Sequence, residues 1–192
     1  MVKEIYSNKQ LPIENCGTGR VYIRCNETEI SSTEMIRKSE DEFVRVPVTM
    51  YQYDEEIVEV KSFSESNVLS ALKDKVIGYI TKYDNGDNVN AFFVSGQKVW
   101  LDKDTRAGLM LRFNAEKSSG KIETTLWLGT QSITLGIDKA IQMLYAIEVY
   151  ASACFDNTAK HKANVMALDS IEEVMSYDYT TGYPEKLSFE IK

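Results

Sequence analysis

The sequence lacks several features that define large classes of protein. It has 192 residues, of which only three are proline, three are cysteine and one is histidine. An odd set of three cysteines does not suit a disulfide framework, and a structural zinc site needs four Cys and His ligands with C-x-x-C-type spacing, whereas Cys16 and Cys25 lie nine residues apart with no histidine nearby. There is no apolar run of about 18 residues that could span a membrane, and no apolar core of a signal peptide. We therefore expect a soluble protein that is made in a reducing cytoplasm.

Positive charge is also scarce. The chain has 22 basic and 29 acidic residues, which give a net charge of −7. A nucleic-acid-binding protein needs basic surface to displace counterions from phosphates, so we expect no nucleic-acid partner. Residues 26–60 carry the excess, with ten carboxylates against three basic side chains. This acidic surface is either simply solvated or docks on a basic partner.

Composition and patterning divide the chain into two predicted segments. Residues 1–62 form an acidic, β-rich N-terminal segment, and residues 63–192 form an α+β domain. In the first segment, Val21–Cys25 has the pattern of a strand. A second strand is predicted from Phe43 to Met50, continuing through residues 51–54 to 57–60. The polar stretch between them, Glu27–Asp41, is predicted to be an exposed loop or a short helix.

The second segment alternates hairpins with helices. A helix over Ser66–Tyr83 precedes a hairpin that turns at Ser95-Gly96 and pairs Phe92 with Val99. A second hairpin turns at Gly129-Thr130 and pairs Leu126 with Ile133, which sorts its apolar and polar residues onto opposite faces.

Helices follow both hairpins. Asp102 is a candidate N-cap for the first of them, and a longer one begins near Ile137. A separate short helix is predicted over Thr158–Leu168, with Asn157 as its cap, and Ser170–Glu173 has the spacing of a capping box. The order predicts an α+β fold in which antiparallel hairpins are covered by helices.

The candidate catalytic groups have simpler structural explanations. Nucleophilic schemes that use a histidine base require His161, which lies between two lysines on a predicted surface helix. Cys154 lies seven residues before His161, and the two side chains point to the same side only if one helix continues through Asn157. Gly17-Thr-Gly-Arg20 lacks the third glycine of a dinucleotide-binding loop, and the sequence has no Walker-type lysine motif. We predict no catalytic, cofactor-binding or metal site.

Two aromatic features are candidate contact surfaces. Tyr177, Tyr179 and Tyr183 lie within seven residues, and tyrosine supplies a large contact area at a low cost in conformational entropy. They either form a recognition surface or pack back onto the helices. Trp127 lies on the polar face of its hairpin, where it is either an exposed contact anchor or is covered by the N-terminal segment.

The second segment resembles a known family. The residues that carry the resemblance are four ordered motifs: Trp100–Arg106 (WLDKDTR), Glu123–Gly129 (ETTLWLG), Tyr145–Ala151 (YAIEVYA) and Tyr177–Pro184 (YDYTTGYP). Together they resemble an uncharacterised domain of bacteriophage and prophage tail-fibre and tail-associated proteins, over Val89–Phe189. Residues 5–10 and 21–26 are similar to N-terminal segments joined to that domain in phages of gut Bacteroidetes.

The resemblance implies a role in the virion. It suggests a structural protein of the tail, baseplate or connector region, made in the bacterial host cytoplasm and present in the virion. Such a protein is expected to form a homo-oligomer and to bind other phage tail or connector proteins. The alternative is a tail-fibre assembly factor that is absent from the mature particle. A small hydrolase is a third possibility, and it would need two carboxylates in a cleft, one with a raised pKa. The family supplies no catalytic residue.

Overall fold

The computed structural model describes residues 1–39, 42–128 and 131–191. Its contacts divide the chain into two compact units. Unit 1 comprises Met1–Ile77 and Val165–Tyr177, and unit 2 comprises Gly78–Asn164 and Asp178–Lys192. These units do not coincide with the predicted segments 1–62 and 63–192, because two helices each contribute residues to both units.

Unit 1 is built on a four-stranded antiparallel sheet. Its strands are β1 (Val2–Tyr6), β2 (Ile13–Asn15), β3 (Arg20–Arg37) and β4 (Phe43–Glu59), in the order β1-β4-β3-β2. The unit also contains the first part of helix α1 (Glu65–Asp84), the end of helix α3 (Ile137–Ala167) and helix α4 (Ile171–Met175). Its buried side chains include Val21, Ile23 and Val58 of the sheet and Val68 and Leu72 of α1.

Unit 2 contains both predicted hairpins. They consist of β5 (Phe92–Val94) with β6 (Gln97–Val99) and β7 (Glu123–Leu128) with β8 (Gln131–Gly136). The short strand β9 (Ser188–Phe189) pairs in parallel with β5. One core combines both hairpins with helix α2 (Lys103–Ser118) and the start of α3, and its buried members include Phe92, Phe113, Leu126 and Ile147. The predicted α+β class, with antiparallel hairpins covered by helices, is confirmed.

The predicted registers of unit 2 are also confirmed. Phe92 pairs with Val99 in the first hairpin, and Leu126 pairs with Ile133 in the second. Ser95 and Gly96 both have positive φ values, 47° and 79°, as a tight two-residue hairpin turn requires. The turn predicted at Gly129 and Thr130 lies outside the described residues.

Helix ends follow the capping chemistry of the sequence. Asp102 caps α2, where its Oδ1 accepts a hydrogen bond from the Thr105 amide at 2.7 Å. Ser170 and Glu173 form the predicted capping box at the start of α4. The helix break predicted at Asn157 is wrong, because α3 runs without interruption from Ile137 to Ala167. A side chain suited to N-capping does not end a helix whose backbone bonds and packing continue through it.

Candidate interaction surface

The longest paired element of unit 1 extends beyond the rest of its sheet. Strand β1 pairs with β4 only at residues 51–55, and β2 pairs with β3 only at residues 21–23. Residues 30–37 of β3 and 43–50 of β4 therefore pair only with each other within the described part of the chain. We call these two stretches the ribbon. At roughly 3.4 Å per residue it is about 25 Å long.

The ribbon corrects the prediction of a loop or short helix over Glu27–Asp41. As far as Arg37, that stretch is a continuation of β3. Its polar side chains are mostly exposed, because an antiparallel strand can face water on one side. The sequence does carry a signal for this strand, since Ile30 and Ile36 lie on the same side at even spacing and no glycine or proline interrupts residues 20–46.

The two faces of the ribbon differ in composition. One face is mostly apolar, with Ser32 and Glu34 as its polar members, and its other residues are Ile30, Ile36, Val44, Val46, Val48 and Met50. Most of these side chains are half-buried, and Ile36 is 43% exposed. The opposite face is exposed throughout, including Met35 (56%) and Phe43 (57%). The exposed apolar side chains near the end of the ribbon, Met35, Ile36 and Phe43, are candidate contacts for a partner.

The base of the ribbon is fixed by a buried charge network. The Arg24 guanidinium, 3% exposed, donates through Nε to Glu55 at 2.5 Å and through Nη1 to Glu14 at 2.8 Å. The Tyr6 hydroxyl donates to the same Glu55 carboxylate at 2.6 Å. These four residues belong to β3, β4, β2 and β1, so the network joins all four strands. The network therefore cross-links the four strands from which the ribbon extends.

Trp127 is exposed. It lies on β7, its side chain is 65% exposed, and it shares the polar face of the hairpin with Thr125 and Thr134, whose hydroxyls hydrogen bond at 3.1 Å. An exposed indole on a paired strand offers a large apolar contact area at little cost in ordering. Its role as a contact anchor stays a prediction.

The tyrosine run packs against unit 2 at two of its three tyrosines. The rings of Tyr179 and Tyr183 lie 5.9 and 5.5 Å from the ring of Tyr83. The Tyr183 hydroxyl is 2.9 Å from Thr158 Oγ1, which donates to Asp84 at 2.9 Å. Because a hydroxyl has one proton, Tyr183 is the donor to Thr158. Tyr177, the third member, is half-buried in unit 1. This geometry favours packing, and a recognition role for the three tyrosines stays a prediction.

His161 is buried, which corrects the expectation of a surface residue. Its side chain is 7% exposed, its Nε2 lies 2.8 Å from the Thr181 carbonyl oxygen, and its ring stacks on Tyr183 at 5.8 Å. The continuous helix α3 turns it to the same side as Cys154, two turns earlier. Flanking lysines indicated an exposed face, but only one residue in three or four of a helix needs to face the core.

Unit 2 also contains a polar cleft of about 440 Å³. Arg106 lies over the Trp100 ring at 5.6 Å and donates to Glu148 at 2.6 Å and to the Leu101 carbonyl at 2.7 Å. Asp102 lines the cleft, but the Thr105 amide holds the pKa of its carboxyl below the usual value. Burial raises the pKa of the Cys154 thiol, which also lines the cleft. An ionised carboxylate and a protonated thiol are poor candidates for a general acid and a nucleophile.

The described residues offer neither a metal-binding cluster nor a membrane-spanning helix. Within residues 1–39, 42–128 and 131–191, no group of three or more His, Cys, Asp and Glu side chains is arranged to hold a metal ion. No helix of that same part of the chain is both long and apolar enough to cross a membrane. No protein-family model, curated protein or solved structure matches this chain.

Proposed function

We propose that this protein is a bacteriophage virion structural protein of the tail, baseplate or connector region, and that it acts through protein–protein contacts. The observation that carries the proposal is the ribbon. It is a long, paired element with exposed apolar side chains, and it projects from a charge network that fixes its base.

A paired element of this kind gains stability from a partner. A two-stranded ribbon without a covering layer is marginally stable in water, because it buries little apolar surface for the backbone that it orders. Here residues 30–37 and 43–50 have no further strand on either edge within the described residues. A partner that covers the apolar face or extends the sheet would supply the missing burial. Symmetric assemblies of identical subunits provide such partners repeatedly.

The assignment to a phage rests on a resemblance in the sequence. The motifs within residues 100–184 resemble a domain of phage tail-fibre and tail-associated proteins, and that resemblance is independent of the ribbon, which lies at residues 30–50. Trp127 adds a second exposed aromatic surface within the resembling region. Both features suit a subunit that contacts several neighbours.

A tail-fibre assembly factor would use the same surfaces and would differ only in being absent from the mature particle. Peptide mass spectrometry on phage particles from the host that encodes the chain separates the two. We expect the protein to be retained through density-gradient purification at a fixed copy number per particle. Expression in infected cells together with absence from purified particles would refute the structural role and support the assembly factor.

A matched pair of variants connects this readout to the ribbon. Phe43→Ser and Met35→Ser each replace an exposed apolar side chain of the ribbon, and Leu111→Ser replaces one on α2 that is 75% exposed. We expect the two ribbon variants to be depleted from particles while Leu111→Ser enters them normally. Equal incorporation of all three variants would show that the ribbon is not the contact surface.

A further inference from the structure

The two edges of the ribbon are chemically different. Pro47 lies in the middle of the β4 edge, and proline has no amide hydrogen to offer a neighbouring strand. Proline on an edge strand is a common device that prevents pairing. The β3 edge contains no proline from residue 20 to residue 37. Only the β3 edge therefore presents an unbroken series of donors and acceptors.

Pro47 also fixes which residues of β3 face outward. Pro47 lies directly opposite Thr33. In an antiparallel ladder, two opposite residues either form two hydrogen bonds with each other or direct their amide and carbonyl groups away from each other. Pro47 cannot donate to Thr33, so the Thr33 amide and carbonyl point away from β4. Hydrogen-bonded and non-hydrogen-bonded pairs alternate along the ladder, so every second residue of β3 directs its amide and carbonyl toward the open edge. Besides Thr33, these residues are Glu29, Ser31, Met35 and Arg37.

We propose that two copies of this chain form a dimer by pairing their β3 edges in antiparallel orientation about a two-fold axis at Thr33. This inference rests on the proposed function, since it names a second copy as one of the partners of the ribbon. The two ribbons become one four-stranded sheet. Three or more strands are the usual minimum for independent stability, so pairing removes the weakness of the isolated ribbon.

The sequence of β3 complements itself in this register. With the axis at Thr33, residue 29 of one copy faces residue 37 of the other, which places Glu29 opposite Arg37 twice. Ile30 likewise faces Ile36, so that apolar side chains meet on the apolar face. Opposite charges and apolar pairs directly across a sheet are both stabilising.

Neighbouring registers lack this complementarity. An axis at Ser32 places Ile30 opposite Glu34, and an axis at Glu34 places Ser32 opposite Ile36. An axis between two residues would set outward-facing groups against inward-facing ones and is excluded by hydrogen-bond geometry. The register at Thr33 pairs five outward-facing residues with their counterparts and gives about ten backbone hydrogen bonds between the copies.

The first test removes the central donor without disturbing the ribbon itself. Thr33→Pro deletes an outward amide of β3, and Thr49→Pro deletes the corresponding outward amide on the β4 edge. Sedimentation equilibrium over a micromolar concentration series measures the dimer, and circular dichroism checks the fold of each variant. We expect Thr33→Pro to weaken dimerisation by at least about tenfold, through the loss of both hydrogen bonds that the two Thr33 residues exchange at the axis, and Thr49→Pro to leave it unchanged. A monomeric wild-type chain, or equal effects of the two prolines, would overturn the proposal.

A charge exchange tests the register. Glu29→Arg and Arg37→Glu each place like charges opposite each other at two positions, and both should weaken the dimer. The double variant restores opposite charges and should recover wild-type association, while Arg45→Glu on β4 should have no effect. Failure of the double variant to recover would contradict the axis at Thr33.

These outcomes are distinguishable from failure of the proposed function. A monomeric protein that still enters particles through its ribbon would refute the β3–β3 dimer and leave the virion role intact. A dimer that dissociates in Thr33→Pro, combined with absence from particles, would support the dimer and refute the structural role.

Discussion

Excision of the ribbon should cost the fold very little. The change replaces residues 31–49 with Asn-Gly, which joins Ile30 to Met50, its hydrogen-bonded partner across the β3–β4 ladder and the innermost pair of the ribbon. Asn-Gly forms the tight turn that a two-residue hairpin connection requires. The Arg24 network and the strands β1 and β2 all lie on the retained side of the cut.

We expect only a small change in the free energy of unfolding, because the stabilising and destabilising contributions of the ribbon nearly cancel. Each cross-strand pair contributes roughly 0.2–1 kcal/mol, and ordering the backbone costs roughly 1–2 kcal/mol per residue before hydrogen bonding and burial are added. An uncovered two-stranded element is therefore close to neutral. We expect the free energy of unfolding to change by less than about 1 kcal/mol, which corresponds to a shift in Tm of about 2–4 °C or less.

Urea unfolding followed by circular dichroism measures this change. The protein concentration must be low enough for the wild-type chain to be monomeric, because dimerisation stabilises the folded state by mass action. Leu72→Ala in the same unit is the control for a residue that the fold needs, since Leu72 is fully buried and its loss should cost about 2–5 kcal/mol. A loss of that size on excision would show that the ribbon is part of the fold, and would refute its role as a partner-binding element.

Three further predictions concern single residues. The Thr105 amide lowers the pKa of Asp102, so the stabilisation from this cap is fully present above the usual Asp pKa of about 4 and is lost as the pH falls through the lowered value. Asp102→Asn keeps the hydrogen-bond acceptor but does not titrate, so it should reduce the acid dependence of the free energy of unfolding in urea. An unchanged pH profile would contradict this prediction. Thiol labelling should modify the exposed Cys16 first and the half-buried Cys25 more slowly, and should reach the buried Cys154 only in denaturant; rapid labelling of all three thiols would be inconsistent with the packing of α3. Trp127→Ala should change the free energy of unfolding by less than about 0.5 kcal/mol, because the indole is 65% exposed, while reducing retention in particles if the residue is a contact anchor; a large loss of stability would indicate a packing role.

Unit 2 shows how far local patterns determine structure. The registers at Phe92–Val99 and Leu126–Ile133 follow from alternation and turn chemistry, and Asp102 and Ser170 mark helix starts through short-range hydrogen bonds. Each of these features is determined within about ten residues of sequence. Predictions that rest on a complete local motif are therefore confirmed, whereas the lone capping residue Asn157 does not end α3.

Three other features were not predicted because contacts with distant parts of the chain determine their structure. The stretch Glu27–Arg37 carries only the weak strand signal of Ile30 and Ile36, and it forms a strand because residues 43–52 pair with it. His161 is buried because Thr181, Tyr183 and their loop fold against α3, which its flanking lysines do not reveal. Strand β9 depends on a parallel partner almost a hundred residues away. Such contacts are set by tertiary packing and leave little trace in a single sequence.

The candidate interaction surface was predicted only in part. Trp127 was identified because a large aromatic residue on an otherwise polar strand face is unusual, and its side chain is exposed. The tyrosines at 179 and 183 were identified by their clustering, but the cluster reflects packing around Tyr83. The sequence does not predict the ribbon, because its separation from the other strands depends on where β1 and β2 end, at residues far along the chain.

We propose that the ribbon anchors this protein in a phage particle. The most direct test compares incorporation of the wild-type chain and the ribbon-excised chain, produced together in one infected host with distinguishable peptide tags. Quantitative peptide mass spectrometry on gradient-purified particles gives both copy numbers. We predict that the wild-type chain is present at a fixed copy number and that the excised chain, although folded, is absent. Equal incorporation of the two chains, or absence of both, would contradict the account.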